Sequence, residues 1–234
     1  MCLIIYSKSG RPKQEYIENG EASNDDGTGI AWIENGYLRY IKGIDLKETI
    51  KLSQELPLGY IIHFRMASIG GVDPQLIHPF PVNVHVPLQQ KGKANKLLFH
   101  NGHWHSWKQH LMDHLSPKVI LPEGKWSDTR AIALLTAIHG KNFLRTIADG
   151  QAGWAGKFAL MTPSKTTLIG RWEEEEGVFY SNANYKWSYH RSNYNYSGSA
   201  SDHSYHNGLR TTHQDRSLSP HSQREAEYLQ GYDH

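Results

Sequence analysis

Apolar and polar positions along this chain alternate in short blocks of two kinds, one with strand periodicity and one with helix periodicity. Residues 2–6, CLIIY, form a continuous apolar run suited to a buried strand. GIAWIENGYLRYIKG places aromatic and β-branched runs on either side of Asn35-Gly36, the dipeptide of a type I′ hairpin turn. Asp45 is positioned to cap a helix through Leu56, which Pro57 ends. LGYIIHFR predicts a strand running into the small-residue loop MASIGG. The stretch from Ile77 to Lys96 is punctuated by Pro and Gly, and the strand KLLFH follows it. Helices are predicted over 104–115, from SDTR (127–130) onward, and over GKNFLRTIADG. In SDTR, Ser127, Asp128 or Thr129 can cap the apolar run AIALLTAIH. GKFALMT, TTLIGRW and GVFYSN read as three antiparallel strands, and EEEE (173–176) as a solvated turn.

The pattern changes near residue 188. The following segment is rich in Tyr, Ser, Asn and His and nearly devoid of aliphatic side chains, so it can supply little core. The division is therefore a body over 2–187 and a polar tail over 188–234, extended or partly disordered. The tail also accounts for a hydrophobic share of only 38%. The body mixes strands and helices without repeats, an α+β domain in which helices cover antiparallel sheets.

A net charge of +2 is too small to argue for nucleic acid or a membrane surface. The apolar run at the start is too short for a signal peptide and no segment approaches a membrane span. These features predict a cytoplasmic protein. Of fifteen histidines, eight fall between His63 and His114. His103-x-His105 and the His110/His114 pair could hold zinc by spacing alone, but no zincin glutamate or supporting cysteine accompanies them. A wet helix face is the simpler reading, and neither a metal nor another cofactor is predicted.

The one cysteine, Cys2, follows the initiator methionine directly. It cannot form an internal disulfide, and removal of Met1 would make it the N-terminal residue. Further along lie HFRMASIGG (63–71), IHPF (77–80), FHNG (99–102) and SDTR (127–130). Each is weak alone: an Arg after a strand is usually a surface charge, Asn-Gly a turn, Ser-Asp a helix cap.

Taken together and in order, these segments resemble the class II glutamine amidotransferases, the N-terminal-nucleophile family. That family begins Met-Cys and carries H-x-R-x-A-T/S-x-G, then His-Pro, then His-Asn-Gly, then S-D-T/S at a helix start. Here the matches are His63 to Gly70, His78-Pro79, His100-Asn101-Gly102 and Ser127-Asp128-Thr129. DDGTGIAWIENG is similar to a hairpin of the stand-alone members, and the resemblance spans about residues 2 to 185. It implies a four-layer αββα sandwich of two antiparallel sheets, the N-terminal-nucleophile hydrolase fold. It also implies a nucleophile, Cys2, with its own α-amine as base, and an oxyanion hole from the Asn101 side chain and the Gly102 N–H. Arg65 would hold the α-carboxylate of L-glutamine and Asp128 its α-ammonium, with Ser68 and His78 completing the substrate site.

The implied reaction is hydrolysis of L-glutamine to glutamate and ammonia through a thioester, the ammonia passing to a separate synthetase or transferase chain. Met66 stands where synthase-type members carry Trp, and Ile69 where a His or polar residue is common. The segment between His78 and Asn101, with QQKGKANK, is longer than the family pattern and suits a partner-contacting hairpin. Two alternatives stay open: an amide hydrolase of the same fold acting on another acyl amide, and a catalytically silent binding or scaffold protein.

Overall fold

The computed structural model describes residues 2–67, 71–114, 120–150 and 156–186. Ser68 and the polar tail lie outside the described residues.

Two antiparallel sheets form the centre. The larger is built from β1 (Leu3–Ser7), β2 (Thr28–Glu34), β3 (Tyr37–Ile44), β4 (Tyr60–Phe64), β6 (Lys91–Ala94), β10 (Glu173–Glu175) and β11 (Val178–Tyr180). Its order is β10-β11-β1-β4-β2-β3-β6. The smaller contains β5 (Phe80–Pro81), β7 (Leu97–Asn101), β8 (Lys157–Met161) and β9 (Thr166–Ile169), in the order β5-β7-β8-β9. The helices are α1 (Gln14–Ser23), α2 (Leu46–Glu55), α3 (Trp107–His114), α4 (Asp128–His139) and α5 (Asn142–Gly150).

Alternation along the strands decides the layering, because successive side chains leave opposite faces of a sheet. Ile4, Ala31, Leu38, Tyr40 and Ile61 of the large sheet meet Leu97, Phe99, Ala159 and Met161 of the small one in a shared core. Their neighbours Leu3, Ile5, Ile62 and Phe64 turn outward and pack against Ile17 of α1 and Ile50 of α2. On the far side Leu98, Phe158 and Leu160 pack under Leu111 of α3, Leu134 of α4 and Leu144 of α5. The result is the four-layer αββα sandwich that the sequence resemblance implied.

Local chemistry explains most elements. Asn35 and Gly36 adopt positive φ of 51° and 76°, the requirement of a type I′ turn. The Asp45 carboxylate accepts the Glu48 N–H at 2.7 Å and starts α2. Ser127 caps α4 by accepting the Arg130 N–H at 3.2 Å.

Four features of the fold go beyond the sequence reading. Helix α1 carries no side-chain cap, and only Ile17, Asn19 and Gly20 are buried, so no apolar stripe announces it. Gly20 suits this helix because a Cβ there would lie 2.8 Å from the Phe64 ring. The EEEE segment is not simply a turn: Glu173–Glu175 form an edge strand paired with β11, and the turn falls at Glu176-Gly177. The three late strands divide between the sheets, since β8 and β9 extend the small sheet while β11 joins β1 in the large one. The QQKGKANK segment supplies β6, which pairs with β3 as the opposite edge.

Arg130, fully buried, fastens α4 to its surroundings. Its guanidinium donates to the carbonyls of Val86 at 3.0 Å, Lys125 at 2.8 Å and Glu123 at 2.7 Å, and lies over Trp126. Arg130→Met leaves three carbonyls without this donor and should lower unfolding free energy by about 3 kcal/mol in urea titrations. A loss below about 0.5 kcal/mol would contradict that role.

Candidate functional site

Strand register brings the candidate residues together. In the β1–β4 ladder Leu3 pairs with Phe64, so Cys2 and Arg65 emerge side by side at the same end of adjacent central strands. Arg65 is held from the other side too, its N–H donating to the Gly27 carbonyl at 2.9 Å. In the small sheet, β7 delivers His100 and Asn101, and Gly102 follows directly. Helix α4 delivers Asp128 in its first turn.

Cys2, Arg65, His78, Gly102 and Asp128 line a single small cleft that is open to solvent at its mouth. Met66, Leu76, His100, Ser127 and Thr129 complete its wall. Six of the seven residues singled out for a site therefore lie in or immediately behind one concavity. Ser68, the seventh, falls outside the described residues.

The Cys2 thiol is half-buried, and its hydrogen-bond partners among the described residues are the Met66 N–H at 3.4 Å and the Met66 carbonyl at 3.6 Å. Burial pushes the thiol pKa up; the Met66 N–H, the chain's terminal amine and Arg65 oppose this. A thiol in this condition needs a base to become a nucleophile. The cleft histidines are poor candidates. Burial drives His78 well below its ordinary range and lowers His100 as well.

Arg65 carries its cation into the cleft, with burial lowering its pKa against the pull of Cys2, Asp26, Asp73 and Asp128. Its guanidinium donates to the Gly71 carbonyl at 2.7 Å. Asp128 supplies the opposite charge. One of its oxygens accepts the Thr129 N–H at 2.8 Å and the other the Trp104 N–H at 3.1 Å, which fixes the carboxylate plane. A cation, an anion, a thiol and an open volume between them suit a zwitterion bearing an electrophilic carbon.

Gly102 has φ +155°, and a Cβ there would come within 2.9 Å of His100 Nε2 and 3.2 Å of the Gly156 backbone. Only glycine lets this backbone pass so close. Asn101 sits behind the cleft wall, buried, with its side-chain amide donating to Ser181 Oγ at 2.8 Å. Its carbonyl oxygen has no hydrogen-bond partner among the described residues.

Two residues here were read in the sequence only as the end of a strand. Asn182 donates to the Cys2 carbonyl at 2.7 Å, and Ser181 accepts the Ile4 N–H at 2.9 Å. A polar pair after a strand looks like any turn, and their contacts span about 180 positions of sequence, which no local pattern encodes. Among the described residues no group of three or more His, Cys, Asp or Glu side chains could hold a metal ion. His103 and His105 stack with ring centroids 5.7 Å apart. No described helix is long and apolar enough to cross a membrane.

No protein-family model matches the chain, and no curated protein matches it closely. Among solved structures it is similar to the glutamine phosphoribosylpyrophosphate amidotransferase from B. subtilis complexed with ADP and GMP. Identity there is 16%, the TM-score is 0.47, and the match covers 76% of this chain and 40% of that one. A second similar structure is described as the allosteric regulatory enzyme of purine biosynthesis, at 18% identity, TM-score 0.46, and coverage of 76% and 40%. The matched region thus spans well under half of either relative.

Beneath the cleft His63, His78 and His100 form a buried cluster. The His63 and His78 rings lie 4.0 Å apart, and His78 Nδ1 accepts the His100 backbone N–H at 3.4 Å. An accepting Nδ1 places the His78 proton on Nε2 and leaves the ring neutral. His63 is pushed down to about 3, chiefly by burial and then by Arg65 and His100. These pKa values are depressed in the folded state, so their stabilisation is present above the unfolded value of 6.5 and disappears as pH falls toward the folded values. Unfolding at pH 5 should take up protons and be easier than at pH 7.5, by roughly 2 kcal/mol from His63 alone, with His78 and His100 acting in the same direction. Equal urea midpoints at the two pH values would show that the cluster is not held neutral.

Proposed function

We propose that this domain hydrolyses the side-chain amide of L-glutamine, with Cys2 as an N-terminal nucleophile once Met1 has been removed. The observation that carries the reading is the convergence of the lone thiol, the Arg65 guanidinium, the Asp128 carboxylate and Gly102 on one cleft. The ordered motifs that resemble class II glutamine amidotransferases support the same reading from the sequence.

On this reading Arg65 binds the α-carboxylate, a guanidinium fork matching it bidentately. Asp128 binds the α-ammonium through the lone pairs its backbone donors leave over. The Cys2 α-amine, with an ordinary pKa of about 7.7–8.0, takes the thiol proton as sulfur attacks the amide carbon. The oxyanion that forms accepts from the Gly102 N–H and from the second hydrogen of the Asn101 amide. Collapse breaks the C–N bond, and the protonated amine returns its proton to the leaving ammonia. Water then attacks the glutamyl thioester by the same route, releasing glutamate and regenerating the thiol. Ser68 and His78 are the remaining substrate-site residues. The ammonia acceptor is a separate synthetase or transferase chain.

The second reading, hydrolysis of another acyl amide, draws on Met66, whose side chain is exposed at the cleft. Substrate dependence separates the two. Arg65→Ala and Asp128→Ala should mainly raise KM for glutamine, since both contacts exist before the transition state, with released glutamate as the readout. Amides lacking the α-carboxylate should be poor substrates of the parent. Equal turnover of such amides would favour the second reading. Asn101→Ala should stay folded and lower kcat roughly a hundredfold; an unchanged kcat would reduce Asn101 to a structural residue.

A further inference from the structure

The geometry points to Ser181 as the positioning residue that aims the Asn101 amide, and so sets the oxyanion donor relative to the nucleophile's strand. The assignment rests on the glutaminase reading above.

Ser181 follows β11, one step beyond the pair Ile5 and Tyr180 in the β1–β11 ladder. Its N–H donates to the Ile4 carbonyl at 3.0 Å and its Oγ accepts the Ile4 N–H at 2.9 Å. Its position is thereby locked to the strand that carries Cys2. The same Oγ accepts the Asn101 amide at 2.8 Å, and the Ser181 carbonyl accepts from Lys157 Nζ. Asn101 and Lys157 pair directly in the small sheet. Ser181 therefore fastens the nucleophile strand of one sheet to the oxyanion strand of the other.

A primary amide has two hydrogens and a carbonyl that differ little in shape, so its orientation must be set by partners. Among the described residues the Asn101 side chain makes one hydrogen bond, to Ser181, and its carbonyl oxygen is buried without a partner. A donor–acceptor bond to Ser181 fixes the amide plane and with it the direction of the second N–H. Without the serine oxygen the amide can turn over and present its carbonyl where the oxyanion needs a donor. Ser181 does not line the cleft, so its reach to the site runs through its contacts with Asn101, Ile4 and Lys157.

A double-mutant cycle with a side-chain NMR readout tests this. Ser181→Ala should lower kcat for glutamine about tenfold with KM changed less than twofold, and Ser181→Thr should recover most of the loss. In an Asn101→Ala background Ser181→Ala should change kcat less than twofold, because nothing remains to aim. A second tenfold loss in that background would overturn the assignment, showing that Ser181 acts through Ile4 or Lys157 rather than Asn101. The Asn101 Nδ2 protons, assigned by their absence in Asn101→Ala, should exchange slowly with water in the parent and in Ser181→Thr. Exchange as fast as that of an exposed asparagine overturns the hydrogen bond even if Ser181→Ala fails to fold. No ammonia release from glutamine by the parent would overturn the glutaminase reading and the kinetic role with it; the exchange rates would still decide the Ser181–Asn101 bond.

Discussion

The pairing of Leu3 with Phe64 in the two central strands is the constraint on which the site depends. It makes Cys2 and Arg65 neighbours at one strand end, and alternation then sends Leu3 and Phe64 to the helix-covered face and Ile4 to the shared core. A slip of one residue would reverse both faces at once, burying the wrong side chains and separating the thiol from its cation. Hydrophobic burial on two faces thus fixes the register, and the register places the chemistry. The catalytic reading needs no flexible approach of remote groups: two sheets and one helix end deliver thiol, guanidinium, carboxylate and glycine backbone to a common cleft.

Much of this is local enough to read from residues. The hairpin at Asn35-Gly36, the Asp45 cap and the Ser127 cap follow from turn and capping chemistry and stand where expected. The cleft residues Cys2, Arg65, His78, Gly102 and Asp128 were legible because each sits at an element's end, where a chain leaves its periodic pattern and exposes a polar group. Helix α1 was not legible: it buries one aliphatic side chain, lacks a cap, and owes its place to contact with Phe64 and Leu3. Strands β6 and β10 were missed for the opposite reason, since runs of Lys and Glu suit a solvated edge as readily as a turn. Ser181 and Asn182 depend wholly on a tertiary pairing between the two ends of the body, which no window of sequence contains.

Buried polar groups carry an unusual share of the site. Burial holds His63, His78 and His100 toward the neutral form, Arg130 donates its guanidinium to three carbonyls, and among the described residues the Asn101 carbonyl oxygen has no partner. Such groups cost stability when incompletely matched. Burial raises the thiol and lowers the cleft histidines, whereas the proposed base, the α-amine of Cys2 once Met1 is removed, has an ordinary pKa suited to the task.

That amine is the centre of the account, and one measurement reaches it directly: intact mass of active protein, paired with the activity of a form whose N-terminus is blocked. The account predicts a chain one methionine lighter than the full translation and a single adduct on Cys2 from a glutamine-like electrophile. It also predicts loss of ammonia release when an N-terminal extension occupies the amine while the thiol remains. Full glutaminase activity in protein that retains Met1 would contradict it, because a cysteine working with any other base has no need of a free amino group.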